Sequence, residues 1–211
     1  MAIASTTVLS PTFRNNPLLQ GLAAWYVLFW IAMAISPVDR KDWLLENIVA
    51  VATVALMAST YQKFRFSNLS YFLITLFMTL HAIGAHYTYA EVPLGFWMKE
   101  TFGLSRNHFD RIVHFAFGLL LAYPARELFL RAARAKGPWA SFFAITAVLS
   151  LSGLFEVIES WVAQIVSPEL GQAYLGTQGD VWDAQKDMTM AVIGAFLAIG
   201  LVVAVPKVFP P

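Results

Sequence analysis

The chain has 211 residues, of which 58% are hydrophobic and 13% charged, with a mean hydropathy of +0.62. A soluble domain of this size carries about a quarter charged residues, so composition excludes a water-exposed globule and points to a membrane-embedded chain. The net charge of +1 gives no basis for nucleic-acid binding, and the absence of cysteine removes disulfides and thiolate metal ligands.

In chain order, six apolar segments are expected to span a bilayer as helices: 18–36, 43–61, 69–89, 110–130, 138–166 and 187–205. Each is close to the ~20 residues a spanning helix needs. The first ends before Pro37, and its Ala32-Met33-Ala34 is a weak cleavage-like pattern. Five further spans favour an uncleaved helix there. Pro124 removes a backbone hydrogen bond inside the fourth span, so a kink is expected at that point. No run alternates with period two, which argues against strands. No repeat or linker divides the chain, so residues 1–211 are expected to form a single integral membrane domain. The expected fold class is all-α, a polytopic transmembrane helix bundle.

Six spans leave both termini on one side. Of the 14 Lys and Arg residues, eight fall on that side and six on the other. The compact turn with Arg131, Arg134 and Lys136 lacks a neighbouring acid. Basic loops are retained inside, so both termini are expected on the cytoplasmic side of the membrane.

The ionisable residues then sort by depth. At about 1.5 Å rise per residue, His81 lies about 18 Å along the outward-running third span, and His86 about 8 Å beyond. The fourth span returns from Asp110 at its outer mouth, with His114 one turn below. Glu156 and Glu159 lie near the outer end of the fifth span, and Asp183 and Asp187 at the start of the sixth. A charge at a bilayer centre costs about 2.5–3.5 kcal/mol on insertion scales, so these groups are expected to face each other, water or a metal. Asp110/His114 and Asp183/Asp187 are four apart and Glu156/Glu159 three apart, which puts each pair on one helix face. His81 and His86 are about 140° apart around a helix, so both reach one site only if the helix bends near Gly84.

The candidate catalytic residues are Glu156, Asp183 and Asp110. The candidate metal ligands are His81, His86, His114, Glu159 and Asp187. Imidazole with carboxylate and no thiolate favours Zn, Mn or Fe, while carboxylates also suit Mg. The same residues suit acid–base chemistry, with Arg106 or Arg111 clamping a phosphate. Plainer roles stand beside these: Asn107 and Asp180 as helix caps, Asp187 in an ion pair, Glu159 reaching the interface. The segment 175–188, with Gly176 and Gly179, is expected to form a lid over the site and the entry to the last helix.

The segments HAIGAHYTYAEVPLGFW (81–97), RNHFDRIVHFAFGLLLAYPARE (106–127), LFEVIESW (154–161) and LGTQGDVWDAQKDM (175–188) resemble the YjdF family of bacterial inner-membrane proteins. The resemblance covers about residues 69–200 and implies fold and location; the family is a domain of unknown function, so it implies little about activity. A looser likeness is to VanZ-type membrane proteins, in Asp110 to His114, Glu156 or Glu159, Asp183 or Asp187, and Gly194. Three functions remain open: a metal-dependent enzyme acting on a lipid or envelope substrate, an accessory or envelope-stress protein with a structural polar cluster, and a small-solute or ion transporter.

Overall fold

The structure is a computed structural model in which residues 12–205 are described. After a 3-10 turn at Phe13–Asn15 come eight helices: α1 (Pro17–Met33), α2 (Arg40–Thr60), α3 (Asn68–His86), α4 (Pro93–Phe102), α5 (Phe109–Arg131), α6 (Gly137–Ile165), α7 (Pro168–Leu175) and α8 (Asp183–Ala204). The described residues contain no strand. By length and composition, α2, α3, α5, α6 and α8 are each able to cross a membrane, and α1 is a shorter apolar helix. These six lie at the six expected segments. The protein is a helical membrane bundle.

Local chemistry accounts for the helix starts. Asn16 accepts from the Leu19 amide ahead of Pro17, Asp39 from the amides of Lys41 and Asp42, and Ser67 from that of Ser70. Each meets one of the orphan donors of a first turn. Pro124 lies inside α5, which continues past it to Arg131. The short helices α4 and α7 fall where the sequence suggests only loops. Both open on proline and close on a left-handed glycine, Gly103 (φ 63°) and Gly176 (φ 58°). At 10 and 8 residues, they are too short for periodicity to separate them from a connection.

The bundle is organised around α5 and α8. A side chain on Gly118 would collide with the Ala191 carbonyl, and one on Gly194 with the Phe115 carbonyl and the Leu119 amide. The two backbones therefore touch directly. Ala122, Ala191, Ala195 and Ala198 continue the seam, with Ala144 and Val148 of α6 packed onto it. Lipid gives helices no hydrophobic reason to associate, so small residues that admit close backbone packing are what binds them. Large apolar side chains point the other way: Leu28, Leu56, Leu151 and Phe196 are all exposed.

α3 lies against α5, α1 against α3, and α7 against α2 and α6. The C-terminal end of α3, the N-terminal ends of α2, α5 and α8, and the C-terminal half of α6 thus gather at one end of the bundle, with α4 and α7. We expect Gly118→Ala to lower stability by about 1–3 kcal/mol through overpacking, read as a thermal melt of the detergent-solubilised protein. Gly200→Ala, with open space around it, should leave the melt unchanged or slightly raised. Equal melting of the two variants would contradict the seam.

Candidate functional site

The seam sets the register of the polar groups. Four residues before Gly118, α5 presents His114, and its first turns carry Asp110 and Arg111. α8 presents Asp187 and Asp183 ahead of Ala191. His114 Nε2 lies 3.5 Å from Asp110 Oδ1 and 3.6 Å from Glu156 Oε1, so α6 joins the group. One ligand atom each from Asp110, His114 and Asp187 lie within 4.8 Å of one another. His114 is 8% exposed and Asp187 2%. Two oxygens aimed into the group, Glu156 Oε1 and Asp187 Oδ1, have no hydrogen-bond partner among the described residues. Glu159, one turn on, is buried close to the carboxyl of Glu156.

A second layer of charge closes this end of the bundle. Asp183 pairs with Arg106 and, at 3.2 Å, with Arg111. Arg111 also pairs with Asp180 and comes within 3.7 Å of Asp187 through Nε. Lys186 holds Asp180 at 2.7 Å. These hydrogen bonds from Lys186 and Arg111 hold the Asp180 carboxyl well below the usual carboxylate range. His108, at the mouth of α5, is pushed down by burial and by the charges of Arg111 and Arg106.

The segment before α8 is latched to α5 by the same residues. Arg106 donates to the Thr177 carbonyl at 2.7 Å, while Asn107 and Gln178 exchange hydrogen bonds at 3.0 and 2.9 Å. Gln178 (φ 48°) and Gly179 (φ 87°) turn the chain so that this exchange closes. The expected lid is thus a pinned cover. Arg106 and Arg111 are committed to carboxylates, which leaves the phosphate-clamp reading without support. Asn107 lies one residue ahead of the N-cap, which falls on His108 without a side-chain bond; its Oδ1 instead accepts from the Phe109 amide at 3.0 Å. Asp180 accepts from the Trp182 amide at 3.1 Å beside its ion pairs. Glu159 is buried, so it does not reach the interface.

Of the proposed site residues, the structure brings together Asp110, His114, Glu156, Glu159, Asp183 and Asp187, with Asp183 in the ion-pair layer. The two histidines of α3 stand apart from the Asp110 group. His81 Nδ1 meets the Tyr89 hydroxyl at 2.5 Å and its Nε2 the Glu46 carbonyl at 3.2 Å. His86 Nδ1 meets the Met33 carbonyl at 2.8 Å, at the junction with α1. The reason is Gly84. Rather than bending α3, it seats the ring of Tyr89, which leaves no room for a side chain there. The helix runs unbroken from Asn68 to His86, and the two imidazoles, about 140° apart around it, meet different partners.

Sequence reasoning passed over Asp42 and Glu46, which are 1% and 2% exposed. Two acids one turn apart beside Arg40 and Lys41 read in the sequence as an ordinary solvated helix start.

A family model described as "Predicted membrane protein (DUF2238)" matches residues 18–207. The Inner membrane protein YjdF of Escherichia coli (strain K12) is 35% identical over 195 residues, covering 92% of this chain and 90% of that protein. No solved structure matches the chain. The resemblance read from residues 69–200 therefore holds over nearly the whole sequence.

Arg106→Gln would leave Asp183 with one fewer counter-charge in a buried setting. Removing one member of a buried pair costs about 3–5 kcal/mol. We expect that loss in the unfolding midpoint, together with faster proteolysis within residues 176–182. A stable variant with an equally protected segment would refute the latch.

Proposed function

The chain belongs to the DUF2238 family of predicted membrane proteins, and from that premise we propose that it is a multi-pass inner-membrane protein whose outer-end polar group holds a divalent metal. Asp110, His114 and Asp187 would be its ligands and Glu156 the fourth ligand or the base beside it. The observation that carries this reading is the convergence of three ligand atoms within 4.8 Å from two helices, with unpartnered buried oxygens of Asp187 and Glu156 facing them.

Charge balance supports the same reading. Six carboxylates (Asp110, Glu156, Glu159, Asp180, Asp183 and Asp187) are set against Arg106, Arg111 and Lys186. The ion pairs occupy Asp180 and Asp183, so the unmet charge concentrates on Asp110, Asp187, Glu156 and Glu159. One imidazole among carboxylates suits Zn, Mn or Fe better than Mg, which prefers oxygen and retains water. A metal there would supply Lewis-acid activation of water. Glu156, 3.6 Å from His114, would be the group to take the proton. The activity class this favours is a metal-dependent enzyme acting on a lipid or envelope substrate at the outer face.

The accessory reading has its own support, since Arg106, Arg111, Asp180 and Asp183 form a closed structural network. Transport is less well supported. The opposite end carries a separate network, in which Glu127 accepts from Ser67, Ser70 and Arg131. Between the two ends lies the apolar seam of Ala122, Ala144, Val148 and Ala195.

Elemental analysis of the detergent-purified protein is expected to find about one Zn, Mn or Fe per chain. Asp187→Asn and His114→Ala should each lower it at least about tenfold, the scale on which metal-site changes act, with folded yield retained. Sub-stoichiometric metal in the unaltered protein would favour the structural network instead.

We further propose the inner membrane as location, in keeping with the Escherichia coli relative, with both termini cytoplasmic. The basic turn at Arg131, Arg134 and Lys136 supports this orientation. Reporter fusions at the C-terminus and within residues 168–178 should report opposite sides. A periplasmic signal from the C-terminal fusion would reverse the orientation.

A further inference from the structure

The end of the bundle away from the Asp110 group carries the opposite charge. Residues 61–70 and 126–136 hold Lys63, Arg65, Arg126, Arg131, Arg134 and Lys136 against a single acid, Glu127. The two stretches lie together, because Glu127 accepts from the Ser67 amide and hydroxyl and from the Ser70 hydroxyl. Arg131 takes what is left of that carboxylate and lies over the Phe64 ring at 4.8 Å. Arg65 lies over the Tyr61 ring at 5.6 Å, and Arg126 donates to the Ser141 hydroxyl at 3.1 Å. The side chains of Arg134 and Lys136 are exposed and meet no acid or hydrogen-bond acceptor among the described residues.

A groove of about 510 Å³ opens at the same turn. Phe129 of α5 lines it, with Ala133 and Ala135 of the turn and Lys136, Trp139 and Phe143 where α6 begins. The rings of Phe129 and Trp139 both pack on Phe143, with centroids 5.6 and 6.0 Å away. The groove is therefore apolar, with Lys136 as its one charged wall. Its shape is set by the turn, where the Ala135 amide donates to the Phe129 carbonyl at 3.0 Å and Arg134 is left-handed at φ 54°. A non-glycine residue keeps that conformation only where its surroundings impose it. Trp139 and Phe143 are exposed, on a helix long and apolar enough to cross a membrane, so what covers them is lipid.

We propose that this groove binds one anionic phospholipid of the bilayer, its acyl chains against Phe129, Trp139 and Phe143 and its phosphate held by Lys136 and Arg134. Tryptophan belongs at the depth of the headgroups, and lysine or arginine beside apolar surface lays its stem along it while the charge reaches the interface. A basic turn next to a spanning helix attracts anionic lipid. A zwitterionic headgroup brings its own cation and leaves the two bases unmet. Free phosphate would leave the aromatic surface uncovered. The site lies at the far ends of α5 and α6 from the proposed metal and shares no residue with it.

The test uses the full-length protein in detergent, with lipid adducts counted by native mass spectrometry. Dioleoylphosphatidylglycerol is the anionic probe and dioleoylphosphatidylcholine its zwitterionic match. One phosphatidylglycerol per chain is expected, bound at least about tenfold tighter than phosphatidylcholine, the scale set by two bases at a membrane surface. Arg134→Gln/Lys136→Gln should abolish that preference. The charge-matched Arg40→Gln/Lys41→Gln variant, at the start of α2, should keep it. Trp139→Ala should weaken binding of both lipids, which attraction by the basic turn alone would not do. If the double variant fails to fold, the unaltered protein in about 1 M ammonium acetate replaces it, since exposed charges are then screened beyond about 3 Å and the preference should vanish. Equal affinity for the two lipids would overturn the proposal, as would a preference that outlasts the loss or screening of both bases. Binding unmoved by Trp139→Ala would overturn the groove, and displacement by equimolar inorganic phosphate would replace the lipid with a free anion.

Discussion

The direct backbone contact between α5 and α8 is the constraint on which the rest of the bundle depends. Gly118 faces the Ala191 carbonyl and Gly194 faces the Phe115 carbonyl, with no space for a side chain at either point. In lipid, apolar side chains gain nothing by turning inward, so contact distance decides which helices associate. Once these two backbones touch, the polar residues one and two turns away have no freedom of register. His114 must lie beside Asp187, and Arg111 beside Asp183. α6 then supplies Glu156 because Ala144 and Val148 fit the same alanine-lined surface.

The bundle therefore inverts the usual arrangement of a soluble domain. Many of its large aliphatic and aromatic side chains face outward, while its interior holds alanine, glycine and six of its thirteen acids. The charges are sorted by layer. Arginine and lysine balance Asp180 and Asp183 at the rim, whereas the carboxylates deeper in have less compensation. In a low-dielectric setting such an imbalance is costly, and it is met by protons or by cations. That demand, more than the identity of any one residue, is why this end of the bundle reads as a binding region.

The pinned cover gives the rim a second role. Arg106 ties the chain before α8 to the chain before α5 through a carbonyl and a carboxylate at once. The α5–α8 pair is thus clamped at its N-terminal ends by charge and along its length by small residues. Either fastening alone would leave the helices free to slide or to splay.

The sequence by itself determined the class, the positions of the six apolar helices and the family. Each of these depends on local quantities: hydropathy summed over about twenty residues, capping chemistry, and the order of motifs. It also determined which end of the bundle is acidic, since depth follows from rise per residue once the spans are counted. What it left undecided was facing. Asp110, His114, Glu156 and Asp187 share a depth with His81 and His86, and only helix rotation separates the two sets. Gly84 reads in the sequence as a possible bend, yet it serves as the seat of the Tyr89 ring, and α3 carries its imidazoles elsewhere. Asp42 and Glu46 were hidden for the converse reason, because two acids beside Arg40 and Lys41 look like a solvated helix start. They are buried where α3 and α7 pack against α2. Rotation and coverage are set by contacts between segments far apart in the chain, and no local pattern encodes them.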